Sequence, residues 1–216
     1  MNRIKVWDGF IRGFHWLLVI ALGVLYVSGE EGWLDIHFVT GYSLLALMIT
    51  RLIWGVIGSD TAKLSALINS PKKVVAALKS DQEQRAGHNA AGSLMVIAFF
   101  VLVLLQLITG LFTTDDILVD GPLVQYVSYD LVELAGSIHH SNIDFLIAAV
   151  ALHVMAIAIY RLKGKQLVKT LLTGKTESTL AQPKMKAGWI AYVVFTILTG
   201  LILALWGMEP LNQLIN

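Results

Sequence analysis

The sequence predicts an all-α integral membrane fold, with a four-helix transmembrane bundle in residues 1–186 and a fifth C-terminal transmembrane helix in 187–216. Three observations carry this expectation. Hydrophobic residues fill 56% of the 216 positions and mean hydropathy is +0.70, whereas a soluble domain is about half apolar with glycine counted. The apolar residues gather into five runs, each on the scale of the roughly 20 residues that one helical crossing of a bilayer requires. All 16 Lys and Arg residues fall at alternate ends of those runs, the pattern left when basic side chains are retained on the cytoplasmic face.

The first run spans about 14–28 and is preceded by Arg3, Lys5 and Arg12. A basic start before a short apolar run has the outline of a secretory signal, but no A-x-A site follows and the run contains His15 and Trp16. It is read as a span. Glu30, Glu31 and Asp35 make a short acidic turn before the second run, 36–57, which opens with His37 and holds Arg51 near its far end. Residues 58–91 are polar and basic, and PKKVVAALKS from Pro71 suits a short surface helix. The third run covers about 92–113. The connection after it carries Asp115, Asp116, Asp120, Asp130 and Glu133, and PLVQYVSYDLVELAG within it has the apolar period of an interfacial helix. The fourth run, 141–162, ends at Arg161 and Lys163. A basic stretch with Pro183 leads to the fifth, 187–206, which Pro210 is expected to stop. No internal repeat is visible.

The basic residues lie in the N-terminus, at the far end of the second run, in loop 58–91 or in 161–186, and neither acidic connection has one. The positive-inside rule then places the N-terminus in the cytoplasm and the C-terminus in the periplasm of a bacterial inner membrane. Trp7, Trp16, Trp54 and Trp189 fall at inner ends and Trp33 and Trp206 at outer ends, where aromatic belts form.

No cysteine is present, which excludes disulfides, thiolate metal sites, cysteine-ligated iron–sulfur clusters and covalent c-type haem. Any redox centre must be held by histidine. The orientation gives each histidine a depth: His15 and His153 lie near the inner face, His37 and His139 near the outer one. His139 and His153 are 14 residues apart, close to four helical turns, so they point the same way about 21 Å apart. A b-type haem takes two neutral imidazoles on opposite sides of a porphyrin, and adjacent helices at matching depth supply them. The four histidines thus read as two bis-histidine sites, His15 with His153 and His37 with His139. A proton or metal transporter using the same histidines without haem is the alternative from another class.

Neighbouring residues fit the two-site reading. Gly41, one turn after His37, would let a flat macrocycle approach the backbone, although helix packing explains a small residue equally well. Arg51, 14 residues after His37, shares its face at the depth of the inner pair; it reads as a partner for haem propionates or as a snorkelling arginine. His140 points nearly opposite to His153, so His139 is preferred as the outer ligand. His88 lies in the basic loop, as a solvated side chain or a quinone or propionate contact.

The segments VWDGFIRGFHW around His15, HFVTGYSLLALMITRLIWGVIGS from His37, RAGHNAAGSLMV around His88, the His139 to His153 spacing and a closing LVKTLLTGK together resemble the bacterial cytochrome b561 family, in its hydrogenase-type cytochrome b branch. The likeness covers roughly residues 6–175. It implies a four-helix haem-binding core with two noncovalent b haems on His15, His37, His139 and His153, and electron transfer between a periplasmic partner and the quinone pool. That partner would be a cytochrome c or a hydrogenase small subunit, with quinone as substrate and no nucleic acid. The acidic outer connections could steer a basic cytochrome c, though the topology rule already clears bases from that side. A superoxide-oxidising quinone reductase of the same fold is a further reading. The fifth span falls outside the family core.

Overall fold

A computed structural model of the protein describes residues 2–70, 72, 86–115 and 119–215. The chain is an all-α integral membrane protein; among the described residues, five helices are long and apolar enough to cross a membrane. These are α1 (Gly9–Glu30), α2 (Leu34–Ile57), α3 (Ala90–Gly110), α4 (Tyr129–Leu162) and α6 (Trp189–Ile215), with a short α5 (Leu167–Thr173) between the last two. A two-stranded antiparallel ribbon pairs β1 (Asn2–Lys5) with β2 (Lys175–Ser178). The surface helix expected from Pro71 lies, apart from Lys72, outside the described residues, as does Asp116. The chain divides into two compact units, Met1–Leu94 with Gln166–Asn216, and Met95–Lys165.

In the first unit α1 begins five residues before the expected span, because Asp8 caps it. Its Oδ1 accepts the Ile11 N–H at 2.9 Å, and its Oδ2 accepts the Trp54 Nε1–H at 3.0 Å from the last turn of α2. One fully buried carboxylate therefore starts the first helix and pins the end of the second. A short turn through Gly32, whose φ of 69° suits a residue without Cβ, returns the chain into α2. The ribbon closes the same end: Val6 N–H donates to Gly174 O at 2.8 Å and the Arg12 guanidinium to Leu172 O at 2.6 Å.

The fifth span packs on protein, against α2 and α1. Tyr192 donates to Gly9 O at 3.2 Å and meets Phe10 edge-on, with centroids 5.4 Å apart, while Trp206 lies 6.0 Å from Tyr42. Gly13 makes room, since a Cβ there would overlap the Tyr192 hydroxyl. The segment leading into it is tied by Asp60, whose backbone N–H donates to Lys184 O and whose Oδ2 accepts the Lys184 N–H. The Lys63 ammonium, 2.9 Å away, and that Lys184 N–H hold the Asp60 carboxyl below its ordinary value.

Pro210 does not stop this helix. Proline has no N–H to give and its ring clashes with the carbonyl four residues earlier. Leu203–Gly207 widen into a π turn just ahead of it, which relieves that register, and Met208–Ile215 continue as helix.

In the second unit α4 starts twelve residues ahead of the expected span. The segment read as an interfacial helix is, from Tyr129 onward, the opening of α4, because no proline separates its apolar period from that of the span. At 1.5 Å per residue its 34 residues reach about 51 Å, against about 30 Å of hydrocarbon. The connection before it folds back on the end of α3: Gly121 N–H donates to Thr113 O at 2.8 Å and Leu123 N–H to Leu111 O at 3.0 Å.

Candidate functional site

Each unit places one candidate histidine against the last turn of the preceding long helix. In the first unit His37, in the first turn of α2, has its Nδ1 3.0 Å from Leu25 O and 3.3 Å from Ser28 Oγ of α1. A carbonyl oxygen only accepts, so Nδ1 carries the proton and Nε2 is left as the lone-pair nitrogen. Ser28 is fully buried, and its hydroxyl donates to the same carbonyl at 3.3 Å.

The second unit repeats the chemistry with more support. His139 Nδ1 lies 3.0 Å from Gln106 O and 3.3 Å from Thr109 Oγ1 of α3. The Gln106 side chain is itself fixed: its Nε2 donates to His139 O at 3.0 Å, and its Oε1 accepts from Asn142 Nδ2 at 2.7 Å. Asn142, buried one turn after His139, also donates to Leu102 O at 2.9 Å. A polar cluster inside an apolar helix pair is costly unless its members are bonded to one another, as here. Its outcome is again an Nδ1–H tautomer with Nε2 as the lone-pair nitrogen.

His140 differs from its neighbour. It is exposed, and its Nδ1 lies 2.7 Å from Gly136 O of its own helix. His15 is half-buried on α1 with its ring edge-on to Trp16, centroids 5.2 Å apart. His153 is half-buried on α4 and edge-on to Phe99 at 5.7 Å. Arg51 is buried in α2, 4% exposed, with its guanidinium 5.8 Å from the Phe14 ring. Gly41 faces Leu25 of α1, where an added methyl would find an ordinary 3.8 Å contact. His88 is half-buried against Trp7, with centroids 4.6 Å apart, and the next residue, Asn89, caps α3 by accepting Gly92 N–H at 2.7 Å.

Haem can be tested against these residues. An axial ligand must be a neutral imidazole with one nitrogen bare, and ligating histidines characteristically donate the other N–H to a carbonyl or carboxylate. His37 and His139 each donate Nδ1–H to a carbonyl of the preceding long helix, as the second condition asks. Among the described residues no three His, Cys, Asp or Glu side chains gather to hold a metal ion.

The residues that sequence reading missed are the supports: Ser28, Gln106, Thr109 and Asn142. Their signal was available as polar side chains inside apolar runs, which membrane helices retain for a bonded purpose.

A family model described as prokaryotic cytochrome b561 matches residues 6–174. The match takes in all six histidines and Arg51 and ends before α6. Among curated proteins none matches the chain.

Proposed function

The chain belongs to the prokaryotic cytochrome b561 family, and from that premise we propose that it is a di-haem carrier moving electrons across the bacterial inner membrane. It is a membrane b-type cytochrome of electron transfer; the proposal adds ligands, direction across the bilayer and partners. His37 and His139 hold the haem nearer the periplasm, and His15 and His153 the one nearer the cytoplasm, with the N-terminus cytoplasmic and the C-terminus periplasmic. The observation that carries this reading is the pair of imidazoles anchored through Nδ1 to a carbonyl of the preceding long helix, one in each unit.

Haem supplies a one-electron iron centre where an isolated charge would be too costly in hydrocarbon. The chain's own residues do the rest. Leu25 O and Gln106 O orient the imidazoles by accepting their Nδ1–H. Buried Arg51 carries positive charge at the depth of the inner pair, where propionates need a counter-charge. Gly41 belongs to the wall of the outer site.

The electron partners are a periplasmic redox protein, a cytochrome c or a hydrogenase small subunit, and the quinone pool. Exposed Asp115, Asp120, Asp130 and Glu133 support docking of a basic partner on the periplasmic side. Anaerobic mixing of the purified protein with a short-chain quinol is expected to reduce its haem bands. Absence of reduction would contradict the quinone link, and rapid reduction by superoxide would favour a superoxide-oxidising enzyme instead.

A further inference from the structure

We propose that Leu25–Gly29 and Gln106–Gly110 are two copies of one imidazole cradle, in which Ser28, Gly29, Thr109 and Gly110 are positioning residues for His37 and His139. The inference rests on the ligand roles proposed above. In both copies the carbonyl of the first residue accepts Nδ1–H at 3.0 Å and the hydroxyl three positions later lies 3.3 Å from the same nitrogen. The glycine one position further faces Cε1. Positions i, i+3 and i+4 share a helix face, so the three groups converge on one ring. LYVSG and QLITG have little in common as text; the repeat is one of geometry.

The two kinds of residue have separate tasks. The hydroxyl protons are committed to carbonyls, Ser28 to Leu25 O at 3.3 Å and Thr109 to Leu105 O at 2.7 Å. That turns an oxygen lone pair of each hydroxyl toward the imidazole N–H as a second acceptor. Two acceptors on one N–H make the ring a more basic ligand, which stabilises the oxidised metal and lowers its potential. The glycines set the ring plane. A Cβ at position 110 would stand 2.9 Å from His139 Cε1, too close to be accommodated without turning the ring, whereas one at position 29 would stand 3.3 Å from His37 Cε1.

Redox titration and electron paramagnetic resonance of the full-length haem-loaded protein test this. Ser28→Ala and Thr109→Val are expected to keep both haems and to raise the midpoint potential of the same single haem, with Ser28→Thr and Thr109→Ser restoring it. Gly110→Ala should displace the low-spin g-value of that haem further than Gly29→Ala does. Two low-spin haems in the wild type, with potentials and g-values unmoved in Ser28→Ala, Thr109→Val, Gly29→Ala and Gly110→Ala, would overturn the cradle and leave the function standing. A wild type without two low-spin haems would sink the functional reading. Shifts of different haems by the Ser28 and Thr109 variants would uphold the cradle but break the pairing of His37 with His139.

Discussion

Replacing His153 with alanine is expected to halve the haem b content of the purified protein and leave the remaining haem with its wild-type spectrum and potential. A single 34-residue helix, α4, carries both His139 and His153. If that helix contributes to two sites at different depths, removing the deeper imidazole takes one axial ligand from one haem. The anchorage of His139, about 21 Å higher on the same rod, is untouched, because it depends on Gln106, Thr109 and Asn142. The pairing makes a stronger statement than loss alone. His15→Ala should leave the same surviving haem as His153→Ala, and His37→Ala and His139→Ala should both leave the other. If the spectrum of His153→Ala instead matched that of His37→Ala, the depth assignment would be wrong.

The second large effect separates two adjacent histidines. His139→Ala is expected to abolish the haem nearer the periplasm, whereas His140→Ala should retain two haems per chain. His139 is half-buried and its Nδ1–H is held by a neighbouring helix; His140 is exposed and bonds only to Gly136 O one turn back among the contacts seen. An imidazole oriented from outside its own helix loses less freedom on binding metal. Haem quantitation of the two variants checks this, and loss of a haem in His140→Ala with retention in His139→Ala would reverse the assignment.

The five spans were legible because length and hydropathy are summed over whole helices, and local details cannot overturn such a sum. Boundaries were less so. Asp8 was one carboxylate in a basic N-terminus, and the Trp54 Nε1–H that its second oxygen accepts lies 46 residues away. Pro210 looked like a stop because the π turn that accommodates it leaves no mark in composition. The four histidines stood out as ionisable groups in apolar runs. Their supports stood out less: Gln106 and Asn142 are polar side chains in apolar runs, but Ser28 and Thr109 are ordinary helix residues until a ring from another helix is placed beside them. The fifth span gave no hint of its neighbours, and Gly13 became informative only once Tyr192 filled the space above it.

The haem-to-chain ratio of the purified wild type, determined by pyridine haemochrome absorbance against quantitative amino-acid analysis, decides whether the four histidines hold two haems. Two haem b per chain are expected. A ratio of one would contradict the two-site arrangement, and a colourless protein from haem-replete cells would contradict haem binding by these histidines altogether.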